Sequence, residues 1–202
     1  MTHRIALIIS VVLGAIIPTD GPAAALDLGG HDRDGTVIGI DLGAGWNKLR
    51  FEDNGVGRET GTEVDFSGGF TVGWARDDHL LGSLGFYGWK EGYRYDYYDL
   101  TARTYSFLAE VAWFPRGQGF WIKGGAGWGI LDFSQVTLAN RITVQHGGFT
   151  WVAGAGYEFR VSDQTALGVA YDYRYLTINE FGAFRNVELP SQNLFLSLRF
   201  YL

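Results

Sequence analysis

From Thr36 onward the chain alternates bulky apolar residues with small or polar ones. That period of two marks strands, not helices. Eight such segments follow one another. The first, Thr36 to Lys48, sets Ile38, Ile40, Leu42, Ala44 and Trp46 against Gly39, Asp41, Gly43, Gly45 and Asn47. The second, Glu63 to Ala75, sets Val64, Phe66, Phe70, Val72 and Trp74 against Asp65, Ser67, Gly69, Thr71 and Gly73. The third is Leu80 to Trp89, and the fourth carries Tyr105, Phe107, Ala109, Val111 and Trp113 on one face. The fifth carries Phe120, Ile122, Ala126, Trp128 and Ile130; the sixth Phe149, Trp151, Ala153, Ala155, Tyr157 and Phe159. The seventh carries Leu167, Val169, Tyr171, Tyr173 and Tyr175; the last Leu194, Leu196, Leu198, Phe200 and Leu202.

These segments are about 10 to 13 residues long, against about 5 or 6 for a globular strand. Tilted membrane-spanning strands need about 9 to 11. The connections point the same way. Those at Arg76–Asp78, Pro115–Gln118 and Ser162–Gln164 are short, whereas Leu49–Thr62, Lys90–Arg103, Asp132–Gly148 and Leu176–Gln192 are long. Short and long links alternate, as periplasmic turns and extracellular loops do in membrane barrels. The expected fold is an all-β, eight-stranded, antiparallel up-and-down transmembrane β-barrel. Its bulky face should meet lipid, because the opposite face is rich in Gly, Ala, Ser and Thr that suit a narrow lumen. Trp74, Trp113, Phe120 and Phe200 would then mark the periplasmic rim, and Trp46, Tyr105, Trp128, Trp151 and Tyr173 the outer one.

The N-terminus changes the compartment. His3 and Arg4 precede an apolar run, Ile5 to Ile17, and Ala23, Ala24 and Ala25 offer an A-x-A-like cleavage site. Residues 1–25 therefore read as a signal peptide, 26–35 as a periplasmic lead-in, and 36–202 as the barrel. Composition adds limits. A formal net charge of -6 speaks against nucleic acid. No cysteine is present, so disulfides and thiolate metal sites are excluded. A mean hydropathy of -0.01 is too low for a helical membrane bundle but suits a barrel.

The C-terminal run Asn193-Leu-Phe-Leu-Ser-Leu-Arg-Phe-Tyr-Leu202 alternates and ends in aromatics. With the signal peptide and the pattern from Thr36 to Leu202, it resembles the small outer-membrane β-barrel superfamily, the OmpA/OmpX-like porin-family barrels. The resemblance implies delivery to the bacterial outer membrane. It also implies that Phe200, Tyr201 and Leu202 are presented to the outer-membrane insertion machinery, with lipid and lipopolysaccharide around the inserted barrel. The last residue is Leu202, where the family pattern ends in an aromatic.

The expected lumen holds the acids Asp41, Glu63, Asp65, Glu110, Glu158 and Asp172 and the bases Lys123, Arg160, Arg174 and Arg199. Buried charges need partners. The turn at Pro115–Gln118 predicts Trp113 opposite Phe120 and Glu110 opposite Lys123. Arg199 on the last strand is expected to reach Asp41 on the first. An eight-stranded interior is just wide enough for side chains to fill it, so a salt-bridged plug is expected rather than a channel.

No catalytic or metal signature stands out. His31, His79 and His146 lie at no metal-ligand spacing, and no cofactor motif is found. Gly124 to Gly129 precedes no helix, so a nucleotide loop is not supported. Some barrels resembling this one modify lipid A with Ser, His and acidic residues. The His-x-Ser pair of the deacylase type is missing, since Gly147, Gly148 and Phe149 follow His146. The second long connection, Lys90-Glu-Gly-Tyr-Arg-Tyr-Asp-Tyr-Tyr-Asp99, is the most distinctive surface. Tyr and Arg are enriched at binding hot spots, which makes Tyr93, Arg94, Tyr95, Tyr97 and Tyr98 a candidate site for an extracellular glycan or protein. Phe181, Phe184 and Arg185 form a weaker one. The expected function is non-enzymatic: a monomeric barrel with an envelope-structural or adhesin-like role. Two alternatives stand beside it: a lipid A-modifying enzyme, and passage of small apolar molecules through a lateral opening as in OmpW-like barrels.

Overall fold

A computed structural model describes residues 33–53, 56–59, 63–94, 98–117, 119–137, 141–181 and 184–202. These form the strands β1 (Gly35–Asn47), β2 (Arg50–Asp53), β3 (Val56–Glu59), β4 (Glu63–Ala75), β5 (Leu80–Arg94), β6 (Tyr98–Trp113), β7 (Phe120–Thr137), β8 (Arg141–Ser162), β9 (Thr165–Phe181) and β10 (Phe184–Tyr201). All pairings are antiparallel: the wall runs β1-β4-β5-β6-β7-β8-β9-β10, β1 also pairs with β10, and β2 pairs with β10 and β3. Eight strands, β1 and β4 to β10, therefore close a barrel. At the seam the Leu202 N–H donates to the Thr36 carbonyl at 2.8 Å, and the Thr36 N–H returns the bond at 3.2 Å. The expected fold class holds.

The bulky face points outward. Leu84 is 70% exposed, Trp74 60%, Val111 55% and Trp128 55%. Contiguous apolar surface on this scale marks contact with lipid or a partner. The opposite face is buried, and its glycines keep it thin. The tight turns follow local chemistry. Asp77 accepts the N–H groups of His79 at 2.8 Å and Leu80 at 2.9 Å, which closes the β4–β5 turn. Gly117 takes φ +60°, a conformation that costs Gly little and other residues more.

The extracellular half departs from expectation. The stretches Lys90–Arg103, Asp132–Gly148 and Leu176–Gln192 are not loops; most of each continues the strands. The β5–β6 ladder runs to Arg94↔Asp99, and the β9–β10 ladder runs to Phe181↔Phe184. Leu49–Thr62 contains the β2–β3 hairpin, whose β2 pairs with β10. β8 alone has 22 residues, about 75 Å at roughly 3.4 Å per residue, while a membrane span uses about 9 to 11. The strands therefore rise well above the apolar band. Inside this extension Leu131, Leu176, Ile178, Val187 and Leu189 form a buried apolar cluster, with Leu49, Phe133 and Val144 packed against it.

One register also differs. Trp113 faces Ile122, Ala112 faces Lys123 and Glu110 faces Gly125, a shift of two residues. Phe114 explains it. The residue points inward and is fully buried, and its N–H donates to the His79 carbonyl at 2.8 Å, one step beyond the Leu80↔Trp113 pair of the β5–β6 ladder. On the other side Phe120 is engaged by Tyr157 of β8. The turn is thus tied to both neighbouring hairpins and is longer than its four polar residues suggested.

Candidate functional site

Two ion clusters fill the lumen. They sit on inward positions, and small residues beside them give the long side chains room to cross. Lys123 of β7 faces Ala112 and Gly154 across its two ladders. From there its Nζ lies 3.0 Å from Asp172 Oδ2 and 3.3 Å from Glu110 Oε1, and it donates to the Tyr87 hydroxyl at 3.1 Å. Tyr87 in turn donates to Glu110 Oε2 at 2.8 Å. Arg174 Nη2 pairs with the same Asp172 oxygen at 3.0 Å and stacks on the Tyr87 ring at 3.8 Å. Glu110 and Lys123 thus meet diagonally, not directly opposite. Asp41 accepts a hydrogen bond from Ser197, its register partner on β10.

The second cluster closes the periplasmic end around Glu158 of β8. Arg33 Nε lies 2.8 Å from Oε1 and Arg199 Nη1 3.2 Å from Oε2. Tyr201 donates its hydroxyl to both oxygens, at 2.8 and 3.0 Å. The expected Arg199–Asp41 pair is corrected. Arg199 faces Gly39 in the β1–β10 register and reaches Glu158 instead, with its guanidinium stacked on Trp121 at 4.7 Å. Arg160 stacks on Tyr201 at 4.8 Å. Asp65 is half-buried opposite Gly45, and Glu63 holds a backbone register opposite Asn47.

The interior aromatics Tyr87, Trp121, Phe195 and Tyr201 and the cation Arg33 are absent from the sequence-based lumen. Each aromatic was legible as the odd member of an alternating run; Arg33 was not, because it precedes the first strand. Among the described residues, cavities of ≈ 20 Å³ lie between these groups, one on either side of Tyr87, each with room for about one water. Tyr87 lines both and separates them.

At the extracellular end, Tyr93 and Arg94 terminate β5 and Tyr98 begins β6. Tyr95 and Tyr97 lie outside the described residues, as does His31. His146, expected beside a loop, lies within β8 opposite Leu131. Phe181 ends β9, Phe184 begins β10, and Arg185 faces Glu52 of the hairpin. Lys48 pairs with Glu59 at 2.6 Å there, and its hydrogen bond holds the Glu59 carboxyl below the usual range. Among the described residues no three His, Cys, Asp or Glu side chains gather as a metal site. Gly124 to Gly129 lies inside β7.

The fold is shared with solved structures. Neisserial surface protein A superposes with a TM-score of 0.57 at 17% identity, covering 84% of this chain and 98% of that one. Ail, the attachment invasion locus protein of Yersinia pestis, gives 0.54 at 14% identity, covering 83% and 99%. A second Ail structure, in complex with the heparin analogue sucrose octasulfate, gives 0.53 at 14%, covering 82% and 99%. No curated protein matches the chain by sequence. The model of the outer membrane protein beta-barrel domain matches residues 18–200, and with the closed, lipid-faced barrel this places the chain in that family.

Proposed function

We propose that this protein is a non-conducting, non-enzymatic outer-membrane scaffold that presents an extracellular β-ribbon to a surface ligand, a glycan or a protein. One observation carries the reading: β5 and β6 stay paired from the periplasmic rim to Arg94↔Asp99. Tyr93, Arg94 and Tyr98 therefore sit where the paired ribbon ends, and connections carried on such scaffolds are common carriers of binding. The ion-paired lumen supports a plugged barrel rather than a channel. In this reading residues 1–25 are removed on secretion, and Phe200, Tyr201 and Leu202 are read by the insertion machinery. The barrel then works as a monomer among lipid and lipopolysaccharide.

The test uses a sulfated glycan, because Ail has been crystallised with sucrose octasulfate. Cells displaying the barrel are applied to immobilised heparin and to a panel of extracellular-matrix proteins. Replacing Tyr93, Tyr95, Tyr97 and Tyr98 by Ser should abolish capture while leaving heat-modifiable migration intact. Undiminished capture by that variant would remove the ribbon as the site. Lipid A of altered mass in cells carrying the protein would replace this reading with the enzymatic one.

A further inference from the structure

The cavity on the extracellular side of Tyr87 gathers side chains from strands that are mostly not neighbours. Asn47 comes from β1, Trp89 from β5, Thr104 from β6, Thr150 from β8 and Arg174 from β9. The ladders place them at one height. Trp89 faces Thr104 across β5–β6, and Ser191 of β10 faces Asn47 on one side and Arg174 on the other. Leu176 and Leu189 line the same cavity and belong to the buried apolar cluster of the extension. That apolar side lowers the local dielectric, which strengthens satisfied polar contacts and penalises unsatisfied ones.

Each of the five side chains carries one buried polar atom that accepts or donates no hydrogen bond among the described residues: Asn47 Nδ2, Trp89 Nε1, Thr104 Oγ1, Thr150 Oγ1 and Arg174 Nε. An unpartnered buried donor is costly, so their convergence on one cavity points to a bound species. Its chemistry follows from theirs. Asn47 Nδ2, Trp89 Nε1 and Arg174 Nε only donate, and the two hydroxyls can turn to donate as well. The occupant must therefore be an acceptor. A volume of ≈ 20 Å³ admits about one water-sized species. A single water oxygen accepts about two hydrogen bonds, too few for these N–H groups; an anion has no such limit. Arg174 is also the only ionised side chain lining the cavity, and no carboxylate lines it.

We propose that this cavity is a buried site for one small monovalent anion of halide size, held by Asn47, Trp89, Thr104, Thr150 and Arg174. The anion ties five strands of the wall together at one point, so the barrel's stability rises with halide by mass action. The full chain is refolded in lipid vesicles in sodium gluconate, whose anion is too large for the cavity. Chloride then replaces gluconate at constant ionic strength. The heat-modifiability midpoint should rise with chloride and follow a saturable curve. Trp89→Phe keeps an aromatic ring but removes the N–H, and should raise the chloride needed by about tenfold or more, the scale of one hydrogen bond to a charged group. Thr150→Val keeps the shape without the hydroxyl and should shift the curve the same way. Trp74→Phe, on the lipid face, should leave it in place. Crystals grown in sodium bromide should show anomalous signal in the cavity, beside Trp89 Nε1. Equal midpoints in chloride and gluconate overturn the site. So does a chloride response that neither Trp89→Phe nor Thr150→Val shifts, or bromide at the surface alone, an adventitious ion only, which leaves the cavity to water. If Trp89→Phe does not fold, Thr150→Val and the bromide signal decide.

Discussion

The hydroxyl of Tyr201, the penultimate residue, donates to both carboxylate oxygens of Glu158 from inside the barrel, at 2.8 and 3.0 Å. Phe200 and Leu202 lie on the lipid-facing side of the same strand. Tyr201, between them, anchors the lumen instead. Arg199, two residues back, reaches the same carboxylate.

Glu158 accordingly holds the first and last parts of the barrel together. Glu158→Gln should remove the carboxylate that the buried Arg33 and Arg199 share. Breaking a buried pair costs about 3–5 kcal/mol. Urea unfolding of the barrel in vesicles should show a loss near that size. A change within error would mean the cluster contributes nothing net.

Lys123 is shared by Glu110 and Asp172. A double-mutant cycle with Lys123→Gln and Glu110→Gln should give a coupling energy of about 1–3 kcal/mol, as contacting charged residues do. The same cycle with Asp172→Asn should also be non-additive. Strict additivity with Asp172 would favour the direct Glu110–Lys123 facing that the structure does not have.

Gly69 and Gly85 lie against the Tyr87 ring, where an added Cβ on Gly69 would collide with it. Gly69→Ala should destabilise by about 1–3 kcal/mol through overpacking. Tyr87→Leu in the same chain should recover part of that loss. Calorimetric or heat-modifiability midpoints read the effect, and no loss in Gly69→Ala would place the ring elsewhere.

Asp77 gives a pH signature in the periplasmic turn. The His79 and then the Leu80 backbone N–H groups it accepts hold its carboxyl below the ordinary value of 3.8. A lowered folded value stabilises the fold above that ordinary value and loses the effect as pH falls through the folded one. The unfolding midpoint should therefore drop as pH falls below about 4, and less so in Asp77→Ala. Parallel curves for the two proteins would show the turn bonds are not linked to folding.

The eight barrel segments, the outward face and the inward side of Asp41, Glu110, Lys123, Glu158, Asp172, Arg174 and Arg199 were present in the linear pattern. A period of two records which face a residue occupies, because successive side chains alternate across a strand. The ends of strands were harder. Beyond Trp89, Ile130 and Tyr175 the chain is polar enough to resemble loops. Ladder bonds with the neighbouring strand nevertheless carry it on, and Leu176, Ile178, Val187 and Leu189 find each other only there.

The sequence by itself determined the barrel, its lipid-facing wall and a charged interior. Only the tertiary structure decided which charges meet. A two-residue register shift leaves every face unchanged, so alternation is blind to it, yet it converts a direct Glu110–Lys123 pair into a diagonal one shared with Asp172. It also decided that Arg199 turns to Glu158 rather than Asp41, and that Arg33 enters the mouth. Those choices depend on the room left by Ala112, Gly154 and the inward Phe114, which no single strand's pattern contains.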